Sequence, residues 1–306
     1  MNLTEVAIGF ITTLELGDIT PDDALIVAAL ADAGVEVRAV PWDAGEPPEN
    51  LDALVLRSPW NYHLTPDAFL SWVDRANGYA TVFNDPKIVR WNAHKGYLFE
   101  LERLGIPIAH TVLCKKHETW DLGAIMSEHG WNEVIVKPAI SASSFMTSIV
   151  GYSAHVTHRN GDLQDRVFEK GQHLLESILE TRDALVQPFM PEILERGERC
   201  LIFIDGQFSH SAQKAAFTDV GGGGQPVIAE SEEIALGERA LAALPETPLY
   251  ARVDILRDAD GIDRLMELEL IDPELYMRLD SNSPRRFASA LMRRLRRRSA
   301  AFFPTL

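Results

Sequence analysis

The stretch "RLMELELIDPELY", residues 264–276, decides how the rest of the chain is understood. Successive side chains of a strand point to opposite faces, so Met266, Leu268 and Leu270 share the core side. Glu267 and Glu269 then share the other side, ~7 Å apart. Two like charges side by side repel, so the pattern asks for something positive between or above them. Just upstream, "YARVDILR", residues 250–257, is the predicted partner strand of a hairpin that turns through "DADG". On it Ala251, Val253 and Ile255 face one way, and Arg252 and Asp254 the other. Three carboxylates and one arginine therefore meet on one polar face. Oxygen ligands on a rigid sheet suit a hard cation such as Mg²⁺, usually shared with substrate phosphates. The arginine suits a phosphate oxygen beside the metal. The plainer alternative is an exposed sheet face carrying a salt bridge.

Working outward, "VIVKP" (134–138) sets Lys137 at the end of an apolar strand, where a buried ammonium needs an anion. The small residues that follow, "AISASSFMT", include Ser141, Ser143 and Ser144 and let backbone N–H groups approach a phosphate. The run "ALVQPFMPEI" carries a buried strand into two prolines, so Gln187 to Pro191 is a stiff, extended connection. Such a connection can offer backbone hydrogen bonds to a flat heterocycle. "RCLIFIDGQFSHSAQK" (199–214) is a second hairpin, turning at Asp205-Gly206.

The first ninety residues alternate strands and helices. "EVAIGFI", "VEVRAV", "ALVLRS" and "ATVFND" are strands. "TPDDALIVAALADAG" is a helix with Thr20 as N-cap, Pro21 in the first turn and Gly34 as its stop, and "TPDAFLSWVDRANG" repeats the Thr-Pro start. That order predicts a small parallel sheet with helices on its faces. A helix over about Asn92 to Leu104 carries Lys95. A lid follows, with strands in "PIAHTVL", "EVIVKP" and "TSIVGYS", a short helix in "WDLGAIMSEHG" and a longer one from about Leu163 to Leu179. The expected units are an N-terminal β/α domain (1–90), a central lid (91–186) and a C-terminal antiparallel-sheet unit (187–306). The fold class is α/β with α+β.

The chain has 306 residues, 46% hydrophobic and 24% charged, as in ordinary globular proteins. Its formal net charge of −16 argues against nucleic acid or an anionic membrane as the main partner. The seven arginines between Arg285 and Arg298 run against that balance and are expected to form the solvated face of a terminal helix. Cys114 and Cys200 have no metal-ligand spacing and are expected as reduced, buried thiols. The N-terminus has no basic segment before its apolar run, and no apolar run approaches the ~20 residues that span a bilayer. The expectation is a cytoplasmic protein, monomeric or homodimeric, acting on a small molecule. No G-x-G-x-x-G follows the first strand, which argues against a dinucleotide-binding enzyme.

Together these segments resemble the ATP-grasp superfamily, in its glutathione-synthetase-like branch, over about residues 90–275. The resemblance implies that Lys95 and Lys137 contact ATP phosphates and that adenine lies near the backbone of Gln187, Pro188, Phe189 and Met190. It implies that Glu195 or Glu198 takes the ribose hydroxyls, with Glu195 preferred. It further implies that Asp254, Glu267 and Glu269 hold Mg²⁺, that Arg252 holds a phosphate, and that Lys214 reaches the phosphates from a neighbouring strand. Glu269 stands where many members carry asparagine, and the serine-rich loop lacks their glycines. The implied reaction is phosphorylation of a carboxylate by ATP, then displacement of phosphate by an amine.

"RSPWNYH", Arg57 to His63, ends the third strand, where α/β folds place ligands. Arg57 is a candidate for a substrate carboxylate, with Trp60, Asn61 and Tyr62 shaping an amino-acid pocket; the alternative is a packed interdomain loop. "RSPWNY", "WNAHKGYL", "VKPAISASS" and the two hairpins also resemble the cycloserine-forming subgroup of ligases. That implies an intramolecular closure, as from O-ureido-D-serine to D-cycloserine. An intermolecular amino-acid or dipeptide ligase is the alternative, and an ATP-binding regulator without turnover is a third.

Overall fold

Thr20 accepts a hydrogen bond from the backbone N–H of Asp23 at 3.1 Å, and Pro21 follows in the first turn, so the first helix starts where the sequence places it. This computed structural model describes residues 6–142, 145–151, 161–214 and 223–302. Strands β1 (Ala7–Thr12), β2 (Glu36–Pro41), β3 (Ala53–Leu56) and β4 (Thr81–Phe83) form a parallel sheet in the order β2-β1-β3-β4. Helices α1 (Pro21–Ala31) and α2 (Pro66–Tyr79) cover it.

The predicted helix over Asn92 to Leu104 is two helices, α3 (Pro86–Asn92) and α4 (Tyr97–Arg103). The reason is tertiary. The Lys95 backbone N–H leaves the helical ladder and donates to the Ala139 carbonyl at 2.8 Å. Lys95 therefore sits at the break, not on a helix.

Beyond it come β5 (Val112–Cys114), α5 (Leu122–His129), β6 (Glu133–Pro138), β7 (Ser148–Gly151), α6 (Gly161–Leu179) and β8 (Ala184–Pro188). The strands form an antiparallel sheet, β5-β8-β6-β7. Because β8 runs to Pro188, the second sheet crosses position 186. A short helix α7 (Glu192–Arg196) leads to β9 (Glu198–Ile204), β10 (Gln207–Lys214), β11 (Gln225–Pro226), α8 (Ser231–Ala242), β12 (Tyr250–Arg257) and β13 (Asp263–Glu269). These five strands form a third sheet, β11-β10-β9-β12-β13, antiparallel throughout. The β9–β10 turn has Asp205 at φ 54° and Gly206 at φ 78°, the left-handed pair that a two-residue hairpin turn requires.

The two faces of the third sheet differ. Leu201, Phe203, Ala251, Val253, Ile255, Leu265, Leu268 and Leu270 pack with α3, α4 and α8. On the other face Ile202, Ile204 and Tyr250 share a core with Phe10 and Val55 of the parallel sheet and with Phe287 and Leu291 of the last helix, α9 (Ser283–Phe302). That core stops at Arg252 and Asp254, where the face turns polar. The arginines of α9 are partly paired: Arg293 and Arg294 reach Asp205 at 2.8 and 2.7 Å, and Arg286 reaches Asp280 at 2.8 Å. Both cysteines are free and buried. Among the described residues no helix is long and apolar enough to cross a membrane.

Candidate functional site

The polar half of the third sheet is built by register. Lys214 pairs with Glu198, Cys200 with Asp254, Asp254 with Glu267 and Arg252 with Glu269. Strand alternation then turns all seven side chains toward one face. The strand that carries the two glutamates is fixed along its outer edge. Asn92 donates to the Leu268 carbonyl at 2.7 Å and accepts from the Leu270 N–H at 3.0 Å, while the Leu268 N–H donates to the Tyr97 hydroxyl at 2.8 Å.

The cations the sequence asked for are present, and they come from separate segments. Lys137, on β6, donates to Glu267 Oε1 at 2.9 Å. Lys95, at the α3–α4 break, lies 3.9 Å from Glu267 Oε2 and donates to the Ser141 carbonyl at 2.9 Å and hydroxyl at 3.2 Å. Burial works to raise the Glu267 carboxyl, but Lys137 and Lys95 outweigh it and hold the group well below the usual range. Glu267 is therefore a firm anion.

Arg252 lies between the other two carboxylates. It donates to both oxygens of Asp254 at 2.8 and 2.9 Å, and it is ion-paired with Glu269. Burial pushes the Glu269 carboxyl upward against the pull of Arg252, with Asp254 and Glu267 adding repulsion. The three carboxylates expected to share one cation are thus interleaved with cations rather than converging. The ligand atoms that do converge, within 4.8 Å of one another among the described residues, belong to Glu198, Cys200 and Asp254. Mg²⁺ usually takes one or two protein carboxylates and completes its shell with phosphate oxygens and waters. Glu267 and Glu269, each 24% exposed, fit that need; Asp254, 2% exposed and held by Arg252, joins them only if Arg252 turns away.

On the opposite flank, Lys214 Nζ lies 3.6 Å from Glu198 Oε2. Glu198 raises the Lys214 ammonium above its ordinary value, whereas burial and Asp254 push Glu198 itself upward. Glu195, the preferred ribose ligand from sequence, is exposed on α7, while Glu198 belongs to the cluster. Strand parity would have told them apart, because Glu198 alternates with the core residues Leu201 and Phe203. Cys200, fully buried beneath Asp254, follows from the same parity and was missed.

At the end of β8, Gln187 is 1% exposed and donates to Thr111 at 2.9 Å, while its Oε1 has no partner among the described residues. The Phe189 N–H donates to the Glu133 carbonyl at 2.8 Å, and Met190 packs with Ala109, Leu256 and Met266. The apolar surface around Met190 suits one face of a flat heterocycle. Ser141 is buried beside Lys95; Ser143 and Ser144 lie outside the described residues.

The N-terminal loop is packed, as in the second of the two readings of its sequence. Arg57 is 2% exposed, donates to Asp23 at 2.9 Å and to the Pro273 carbonyl at 3.1 Å, and lies 4.9 Å over the Tyr250 ring. A guanidinium so enclosed supports the fold, and its Nη1 has no hydrogen-bond partner among the described residues. Asn61 is likewise engaged, accepting from Trp42 and donating to Asp43, both at 2.7 Å. Trp60 donates to the Asp272 carbonyl at 3.4 Å, and Tyr62 is buried against Phe69. These contacts press the loop onto residues 271–274, directly after the glutamate strand. Asp272 itself was not anticipated.

Known proteins resemble this chain in sequence and in fold. The family model described as "D-cycloserine synthetase DcsG, N-terminal domain" matches residues 8–84. The cycloserine biosynthesis protein DcsG of Streptomyces lavendulae is 26% identical, over 89% of this chain and 93% of that protein. The crystal structure of D-cycloserine synthetase DcsG superposes with a TM-score of 0.83 at 23% identity, covering 94% of this chain and 99% of that one. The ATP-grasp ligase PsnB, in complex with a minimal precursor, Mg and ADP, gives a TM-score of 0.60 at 15% identity over 97% of this chain and 99% of that one.

Proposed function

We propose, from the premise that this chain has the ATP-grasp fold, that it is an ATP-dependent carboxylate–amine ligase. The observation that carries this is the meeting of Lys95, Lys137 and Glu267, from three separate segments, beside Arg252, Asp254 and Glu269. So dense a set of buried ion pairs is costly for a fold to keep, and it suits a site where anionic phosphates and a cation enter together.

In this assignment Lys95, Lys137, Lys214 and Arg252 hold the phosphate oxygens of ATP. The Gln187 to Met190 segment lies along adenine, and Ser141 lines the phosphate loop; Ser143 and Ser144, the other two candidates, lie outside the described residues. Of the two candidate glutamates, Glu198 belongs to the nucleotide site. Mg²⁺ held by Glu267 and Glu269, with Asp254 as a further ligand, would neutralise the triphosphate and polarise its γ-phosphorus. A carboxylate oxygen of the substrate attacks that phosphorus as the bond to the ADP oxygen breaks, giving an acylphosphate and ADP. An amine nitrogen then attacks the acyl carbon, phosphate leaves, and the nitrogen gives up a proton. Water would intercept the acylphosphate. We assign the sheet β5-β8-β6-β7 with α5 and α6, the larger part of the 91–186 unit, as the lid that excludes it, while α4 of that unit packs on the third sheet as part of the floor.

For the substrate, the likeness to the cycloserine biosynthesis protein, which spans most of both chains, favours intramolecular closure. O-ureido-D-serine would be phosphorylated on its carboxylate. Its own aminooxy nitrogen would then displace phosphate and close the five-membered ring, with the carbamoyl group lost by hydrolysis.

The test is phosphate release with ATP and Mg²⁺ across O-ureido-D-serine, its L-enantiomer, and the common amino acids singly and in pairs. Release with O-ureido-D-serine and a cycloserine mass supports the cyclo-ligase. Release only with pairs moves the chain to an intermolecular ligase. ATP binding with no release from any substrate overturns the enzymatic reading in favour of a regulator.

A further inference from the structure

Immediately after the glutamate strand, the loop Ile271 to Glu274 is held from several sides. The Tyr250 hydroxyl donates to the Ile271 carbonyl at 3.1 Å, Trp60 to the Asp272 carbonyl, Arg57 to the Pro273 carbonyl, and Arg252 to the Glu274 carbonyl at 3.2 Å. Toward this loop all four donors reach only backbone carbonyls. The side chain of Asp272 is half-buried among them, and none of the described residues donates a side-chain hydrogen bond to it. The cations that act on it, Lys95, Arg252 and Arg57, do so at a distance, and each is already bonded elsewhere: to Ser141, to Asp254 and Glu269, and to Asp23. Its near neighbours also include Tyr62 and Glu269, on which its charge acts directly.

A rigidly placed carboxylate without a cation is a liability beside a site that must admit a triphosphate and a substrate carboxylate. Repulsion at short range in a partly desolvated site costs far more than in water. The liability ends if the substrate itself brings the cation.

We infer that Asp272 is the counter-ion for the α-ammonium of an α-amino-acid substrate, holding it while the carboxylate on the same carbon is turned toward ATP. This rests on the ligase assignment above and adds to it a specificity residue. The ammonium stays charged through the reaction and makes no bond, so Asp272 selects and orients without taking a proton. It also keeps that amine from acting as the nucleophile, leaving the acyl carbon to another nitrogen.

The test compares O-ureido-D-serine with 3-(ureidooxy)propanoate, the same molecule without its amine, in the wild type and in Asp272→Asn. The wild type should favour the amine-bearing substrate in kcat/KM by roughly 10- to 100-fold, the range for one charge-assisted hydrogen bond. The variant should reduce that preference to about threefold or less, through KM for the amino acid, with KM for ATP and half-saturation by Mg²⁺ held within about twofold. The wild-type comparison needs no mutant and stands even where Asp272→Asn folds poorly. A wild type indifferent to the amine overturns the inference, as does a variant that keeps the full preference. A variant whose Mg²⁺ half-saturation rises instead makes Asp272 a metal ligand. A wild type silent toward every carboxylate, with or without an α-amine, overturns the inference together with the ligase assignment, whereas turnover of amine-free carboxylates alone overturns only the inference.

Discussion

Lys137 and Glu267, 130 residues apart in sequence, are joined by a 2.9 Å hydrogen bond that ties the lid sheet to the glutamate strand. Lys95 approaches the other oxygen of the same carboxylate, so Glu267 organises both lysines. Glu267→Gln keeps the shape and removes the charge. It should lower ATP-dependent turnover by about 10²- to 10³-fold, the scale for losing one group that stabilises transition-state charge. The thermal midpoint should stay close to wild type, because Glu267 lies at the partly exposed rim. Steady-state phosphate release and a melting curve on the same sample check both halves. Full activity in this variant would sink the metal assignment.

Arg57 and Asp23 form a pair that is almost wholly enclosed, with side-chain exposures of 2% and 4%. Asp23→Asn leaves a guanidinium buried without its anion, at a cost of about 3–5 kcal/mol. It should also loosen the Asp272 loop through the Arg57–Pro273 contact. Urea unfolding at neutral pH measures the first effect. A loss below about 1 kcal/mol would show that Tyr250 and the Pro273 carbonyl suffice for Arg57.

The two hairpins were legible from period-2 alternation, from turn chemistry at Asp205-Gly206, and from burial of Val253 and Leu268 on the apolar side; alternation fails at Met266, because the register slips between Asp254 and Ile255 and Leu265 takes the core side in its place. The parallel sheet was legible for the same kind of reason, from Thr-Pro helix starts between apolar strands. Local pattern could not show the break at Lys95, because its cause is the Ala139 carbonyl, 44 residues downstream (139 − 95). Nor could it show that Arg57 is enclosed, since Asp23 lies 34 residues away on α1 and Pro273 lies 216 residues away. The site's cations were legible as residue types at strand ends. Their interleaving with the carboxylates needed the register of β9, β12 and β13.

Glu198 and Glu195 make opposite predictions although they are three residues apart. Glu198→Gln should raise KM for ATP by about tenfold, because Lys214 loses the carboxylate that holds it over the sheet. Glu195→Gln, on an exposed helical face, should leave KM for ATP within about twofold. Nucleotide titration of the two variants decides between them. The reverse pattern would return the ribose contact to Glu195.

Asp272 should also leave a signature in the pH dependence of stability without ligands. Burial pushes its carboxyl up to about 6 from an ordinary value of 3.8, against the opposing pull of Lys95, Arg252 and Arg57. Between those two values the folded chain keeps a proton that the unfolded chain has released. The fold therefore loses stability as pH rises through that window, and the full penalty is present above it. Asp272→Asn has no such penalty. The stability of the variant relative to wild type should rise between pH 4.5 and pH 8 by on the order of 2 kcal/mol, at about 1.4 kcal/mol for each tenfold difference in proton affinity between the folded and unfolded chain. Saturating O-ureido-D-serine should shrink that gain at pH 8, because an ammonium beside the carboxylate stabilises its charged form. Chemical denaturation of both proteins at the two pH values, with and without the amino acid, measures it. An equal difference at both pH values would mean that Asp272 bears no cost for its charge in the free protein, and that the substrate has none to relieve.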